Sequence, residues 1–120
     1  MKLLIVDDSL IMRKMVERAL AEKNFTVVGS AADGEEGLRI FKETTPDLVT
    51  LDISMPKMDG LTCLTEMLKI KSDAKILMIT SQTDNLTTSD VMERGAAGVM
   101  GKPFNAAQLI EKVNEVLDQH

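Results

Sequence analysis

The chain has 120 residues, 44% of them hydrophobic and 28% charged, and a formal net charge of −5. That is enough for one domain with a true core and too little for two. The acidic balance, with no block of Lys and Arg, excludes non-specific nucleic-acid binding, and no apolar run approaches the ~18 residues of a membrane span. The single cysteine, Cys63, leaves no disulfide framework and fits a reducing compartment. Met1 to Val6 imitates the opening of a signal peptide, but it stops at Asp7-Asp8 instead of a small-residue cleavage site, so the expected location is the cytoplasm. Asn85-Leu86-Thr87 matches a glycosylation acceptor, a pattern common by chance and without meaning there.

Lys2 to Val6 is a near-continuous apolar run, the pattern of a strand buried on both faces, and it ends at Asp7-Asp8. Ser9 can cap a helix running to about Lys23. Leu10, Met12, Val16 and Leu20 mark its successive turns, and Ile11, Met15 and Ala19 fill out the inward stripe. Asn24 ends it, and Phe25 to Gly29 is a second short strand. Ala31 to Glu36 reads as a loop entering a second helix, with acids in its first turn and Leu38, Ile40 and Phe41 on its apolar side. Pro46 forbids further helix, and Asp47 to Asp52 forms the third strand. A turn-forming segment follows. A third helix then runs from Met58 or Asp59 to Lys71, with Leu61, Leu64 and Leu68 on one stripe.

Lys75 to Thr80 is the fourth strand and leads into Ser81. Asp84 to about Arg94 has a helical pattern weakened by Thr87, Thr88 and Ser89, and Gly95 stops it. Ala97 to Gly101 is a weak fifth strand, its glycines lowering propensity, and it delivers Lys102-Pro103-Phe104. Asn105 caps a last helix to about Leu117, with Leu109, Ile110, Val113 and Leu117 facing inward. Strand and helix thus alternate five times without a linker or low-complexity segment. The expected fold is α/β, a doubly wound (βα)5 parallel sheet, in one domain over residues 1–120 with no output domain.

Ligands of open α/β sheets bind outside the carboxyl ends of the strands. Here those ends carry Asp7-Asp8, Asp52, Thr80-Ser81 and Lys102. With strand order 2-1-3-4-5 all of them share one crevice. Each residue alone has a structural explanation: Asp7 and Asp8 as helix caps, Lys102 as an ion-pair partner of Asp52. Four strand ends together favour a shared site. Two carboxylates about 4 Å apart repel by roughly 4 kcal/mol at an effective dielectric near 20, so pKa values rise or a cation joins them. Mg²⁺ suits a site giving two or three protein oxygens and leaving places for water and phosphate. A carboxylate can attack a phosphoryl group, and phosphoryl transfer chiefly needs alignment and charge neutralisation. Thr80 offers a hydroxyl for a phosphoryl oxygen. The only histidine is His120 at the chain end, so triad and acid–base catalysis have no components.

Asp7-Asp8, Asp52 with Met55-Pro56 and Asp59-Gly60, Thr80-Ser81, and Lys102-Pro103-Phe104 together resemble the receiver domain of two-component response regulators, above all the stand-alone chemotaxis-type (CheY-like) receivers. The resemblance covers the whole chain in register. It implies the flavodoxin-like order 2-1-3-4-5, which such receivers themselves exemplify. It implies that Asp52 is the phosphoacceptor, charged by a histidine kinase or phosphotransfer protein. Mg²⁺ would be bound by Asp7, Asp8, Asp52 and the backbone carbonyl of Ser54. Lys102 would contact the phosphoryl group and Thr80 would swing toward it. A cis Lys102–Pro103 bond is implied too, and Ser54 and Gln82 hold positions that tune dephosphorylation. Relatives carry Tyr or Phe three residues before the lysine as a switch residue. This chain has Val99, with no ring to bury or expose.

The function so implied is a phosphorylation-activated switch and not an enzyme, although it assists its own phosphorylation and dephosphorylation. Its mobile face would be the fourth helix, fifth strand and fifth helix, the fourth helix being soft because it is rich in threonine. The expected partners are the kinase and a downstream protein, a flagellar motor switch or another signalling protein. Nucleic acid and membrane are not expected, and the chain should be a monomer. Three other readings are weaker. A flavodoxin-type electron carrier lacks a loop to cradle the FMN phosphate, which Asp7-Asp8-Ser9 would repel, and lacks Trp or Tyr to cover the ring. An aspartyl-nucleophile (HAD-like) phosphatase needs Asp-x-Asp after the first strand. A phosphorylation-independent binding module of the same fold gains some ground from Val99. The nine methionines read mostly as core filler, with Met92 and Met100 as candidates for an adaptable partner face. Cys63 reads as a small buried hydrophobe.

Overall fold

A computed structural model describes residues 1–81 and 88–118. Within them, five strands, β1 (Lys2–Val6), β2 (Thr26–Ala31), β3 (Leu48–Asp52), β4 (Lys75–Thr80) and β5 (Gly98–Gly101), alternate with α1 (Leu10–Ala21), α2 (Gly34–Thr44), α3 (Gly60–Ile70), α4 (Thr88–Glu93) and α5 (Ala106–Leu117). All strand pairs are parallel, in the order β2-β1-β3-β4-β5, which is the expected flavodoxin-like sheet.

The strands alternate between two cores. Leu4, Val6, Val49, Leu51, Ile76 and Met78 face Leu38 and Phe41 of α2, Cys63, Leu64 and Met67 of α3, and Val91 of α4. Leu3, Ile5, Leu48 and Leu77 face Val16, Ala19 and Leu20 of α1 and Leu109, Val113 and Val116 of α5. Burying one such large side chain stabilises the fold by about 1.5–3 kcal/mol, which is why neither face of the sheet can be left open. Cys63 is fully buried, and burial, helped by the charge of Asp59, pushes its thiol up to about 12. Met67 and Met78 are core, while Met92 is 40% exposed and Met100 is buried.

Side chains end the loops where the helices begin. Ser9 Oγ accepts from Met12 N at 3.2 Å, Asp33 Oδ1 from Glu36 N at 2.9 Å, and Asp59 Oδ1 from Thr62 N at 2.9 Å. Asn105 and Gln108 form a reciprocal capping box. These caps fix the loops on the carboxyl edge of the sheet.

The structure corrects several boundaries. Ile11 is 83% exposed and not part of the inward stripe of α1. At about 100° per residue it lies roughly 130° from the middle of the Val16–Ala19–Leu20 face. β2 runs on to Ala31 because Ala31 pairs with Val6 at the end of β1. In α5 the third buried residue is Val116, with Leu117 half-buried. α4 is described from Thr88. Its expected start at Asp84 lies outside the described residues, as do Gln82, Asn85-Leu86-Thr87 and His120. Among the described residues no helix is long and apolar enough to cross a membrane.

Candidate functional site

The strand order sets the tips of β1, β3, β4 and β5 side by side. Asp7 directly follows β1, Asp52 ends β3, Thr80 ends β4 and Lys102 directly follows β5. Asp7 continues the ladder by donating its N–H to Ala31 O at 3.0 Å, and Lys102 N donates to Thr80 O at 2.7 Å. The charged groups are thereby placed by main-chain bonds. Asp7 and Asp52 are each only 3% exposed, whereas Asp8 is open to solvent.

Lys102 Nζ lies 3.1 Å from Asp7 Oδ2 and 3.4 Å from Asp52 Oδ2. One carboxylate oxygen from each of Asp7, Asp8 and Asp52 lies within 4.8 Å of the others. Asp7 Oδ1 accepts from Ser9 N at 2.9 Å. Asp7 Oδ2 is buried without a hydrogen-bond partner even though the ammonium is within ion-pair distance. The two groups are close enough to attract but out of line for a hydrogen bond, so the pair is a charge contact. Burial first, and then the charge of Asp7, raise the Asp52 carboxyl from 3.8 to about 6, although Lys102 pulls the other way. Burial alone would lower Lys102, but its close contacts with Asp7 and Asp52, and their charge, outweigh burial and raise its pKa.

A buried carboxylate oxygen without a hydrogen bond, facing two more carboxylates, is an all-oxygen donor set that suits a hard divalent cation such as Mg²⁺. The residues present therefore fit that ion. The turn after Asp52 is held by Gly60 N donating to Ile53 O at 2.7 Å. A Cβ on Gly60 would sit 2.1 Å from Asp52 O, so only glycine lets α3 start this close to the acidic residue. Ser54 is exposed on the turn, and Lys57, at φ 69°, reaches Asp33 at 3.7 Å. The Lys102–Pro103 peptide bond is cis.

Asp7, Asp8, Asp52 and Lys102 are thus gathered into one group. Thr80 stands half-buried on the neighbouring tip, while Val99 lies back along β5, opposite Met78, against the core under α2, α3 and α4. Sequence reasoning missed Arg13, whose Nη1 donates to the backbone oxygen of Asp7 at 2.6 Å. No periodicity marks a side chain that turns back six residues. It also missed the close approach at Gly60, although an Asp-Gly pair opening a helix was a signal for it.

Five parallel strands with an acidic edge that fits a divalent cation define a doubly wound α/β protein with its site at the carboxyl ends of the strands. The comparisons narrow it. Residues 3–114 match the response regulator receiver domain, and the chain belongs to that family. It is 38% identical over 117 residues to the chemotaxis protein CheY of Bacillus subtilis (strain 168), spanning 98% of each chain. It is 34% identical over 115 residues to the chemotaxis protein CheY of Thermotoga maritima, spanning 96% of each. Among solved structures, a chain of the CheX-CheY-BeF3-Mg+2 complex from Borrelia burgdorferi superposes with a TM-score of 0.92 at 34% identity, covering 98% of this chain and 90% of that one. The chain is a CheY-like receiver domain of two-component signalling.

Proposed function

We propose that this chain is a phosphorylation-activated switch in which Asp52 accepts the phosphoryl group of a phosphohistidine on a kinase or phosphotransfer protein. The observation that carries this is the buried Asp52 carboxylate, 3.4 Å from Lys102 Nζ and within reach of one ion shared with Asp7 and Asp8. With its pKa near 6, Asp52 is ionised at neutral pH and more basic than an ordinary aspartate, as a nucleophile should be. One carboxylate oxygen attacks phosphorus, the new O–P bond forming as the P–N bond breaks, and the leaving imidazole takes up a proton. Asp7, Asp8, Asp52 and the Ser54 carbonyl hold Mg²⁺, which when bound supplies charge neutralisation to the transferring oxygens. Lys102, already between Asp7 and Asp52, contacts the phosphoryl oxygens, and the Thr80 hydroxyl turns to meet them.

Phosphorylation replaces the single negative charge of Asp52 by about −1.5 to −2, set further out from the strand tip. That change shifts the fold only so far as it interacts differently with two arrangements. Lys102 and Thr80 are joined through the main chain, so the elements biased are α4, β5 and α5. The switch works in the cytoplasm, in chemotaxis or a related two-component pathway. Its downstream partner is a signalling protein read by that face, a flagellar motor switch or another target. With ³²P-acetyl phosphate and Mg²⁺, wild type should take up one label and Asp52→Asn none. Equal labelling of the two would rule out Asp52 as the acceptor.

A further inference from the structure

Asp7 reaches the pocket with every other polar atom already engaged. Its N–H is bonded to Ala31 O at 3.0 Å and its Oδ1 takes Ser9 N–H at 2.9 Å. Its backbone oxygen takes the guanidinium of Arg13 at 2.6 Å. Among the described residues only Oδ2 is left without a hydrogen-bond partner. Arg13 is half-buried on α1, while the adjacent Lys14, and Arg18 one turn on, are exposed. Arg13 turns inward to a neutral carbonyl although the carboxylates of Asp7, Asp8 and Asp52 stand together nearby. Hydrogen bonds from charged donors are short and strong, and this one grips the peptide that joins Asp7 to Asp8. Fixing that peptide plane sets the direction in which both side chains leave the main chain.

We propose that Arg13 is a positioning residue of the acidic pocket: by holding the Asp7–Asp8 peptide it keeps Asp7 Oδ2 and the Asp8 carboxylate aimed at the point they share with Asp52. The role rests on Asp7 and Asp8 being cation ligands. Arg13 acts through them, without touching the reacting atoms. Partners that orient metal ligands typically carry about 10- to 100-fold of the metal affinity, and the loss falls on binding, not on the chemical step.

The test is calorimetric titration of Mg²⁺ into wild type, Arg13→Ala, Arg13→Lys and Asp8→Asn, with acetyl-phosphate labelling of each measured across Mg²⁺ concentrations. Arg13→Ala should bind Mg²⁺ about tenfold more weakly or worse, and should need proportionately more Mg²⁺ for half-maximal labelling while its saturated rate stays near wild type. Arg13→Lys, which returns one charged donor to the carbonyl, should lie between Arg13→Ala and wild type. It decides the matter if Arg13→Ala does not fold. Wild-type Mg²⁺ affinity in either Arg13 variant would overturn the proposal, as would a lysine variant no better than a folded alanine one. Unchanged affinity in Asp8→Asn would sink the cation site itself. A weakened Asp8→Asn beside an unaltered Arg13→Ala would remove the role of Arg13 alone.

Discussion

Replacing Asp52 by asparagine should make the metal-free protein more stable at neutral pH, and the gain should vanish in acid. Burial and the neighbouring Asp7 hold the Asp52 carboxyl near 6, against 3.8 for an ordinary aspartate. Between those two values the folded chain binds a proton that the unfolded chain has released. Stability is therefore fully present below pH 3.8 and falls as pH rises through about 6. A shift of this size, at ~1.4 kcal/mol per pH unit, corresponds to about 3 kcal/mol of lost stability at pH 7.5. Asparagine has nearly the same shape and never ionises, so it removes that penalty. Lys102 loses one partner but keeps Asp7 at 3.1 Å, which trims the gain. A net stabilisation of about 1–3 kcal/mol at pH 7.5 is expected, roughly 3–12 °C in Tm for a chain of this size, with none below pH 4. The chain has no Trp or Tyr, so urea unfolding is best followed by far-ultraviolet circular dichroism, in EDTA, from pH 4 to pH 8. An Asp52→Asn protein no more stable than wild type at pH 7.5 would refute the reasoning. So would a difference of equal size at both ends of the pH range. Added Mg²⁺ should close the gap, because it binds the folded wild type in preference.

Lys102→Met should bind Mg²⁺ about tenfold more tightly, since it removes a cation 3.1 Å from Asp7 and 3.4 Å from Asp52, and should lose most acetyl-phosphate labelling. Unchanged metal affinity in a calorimetric titration would show that the ammonium does not compete with the ion. Gly60→Ala places a methyl 2.1 Å from Asp52 O, so the turn must shift. Unfolding should show a loss of about 3 kcal/mol, and a protein as stable as wild type would mean that the turn yields freely.

Much of the fold was legible because its signals are local. Near-continuous apolar runs gave β1, β3 and β4 their places, and Ser9 and Asn105 marked their helices by capping chemistry. The phase of α1 was not legible. Leu10, Ile11, Met12 and Met15 offer two apolar stripes, and only packing against Leu3 and Ile5 selects the one through Val16 and Leu20. The end of β2 depended on its partner, since Ala31 extends the strand only because Val6 lies beside it. The charged residues of the site could be named from the strand ends, and so could the Lys102–Asp52 pair, but not the Lys102–Asp7 pair. β5 is separated from β1 by β3 and β4, and no strand order says that Lys102 reaches back to Asp7. The Arg13 bond to the Asp7 carbonyl was invisible for the same reason: main-chain acceptors have no sequence signature.

The same crowding explains both the strain on Asp52 and the readiness of the pocket for added positive charge. When all groups are ionised the pocket holds, among the described residues, three carboxylates against one ammonium. Lys102 stays protonated across neutral pH because Asp7 and Asp52 outweigh its burial, so the carboxylates always have one countercharge. It does not satisfy them fully. At 3.1 Å it stands in charge contact with Asp7 Oδ2, a buried oxygen with no hydrogen-bond partner among the described residues. A better-placed lysine would stabilise the metal-free fold and close the site. The observed geometry does neither: burial first, and then the charge of Asp7, still hold the Asp52 carboxyl near 6, and a cation added at that strand tip would relieve it.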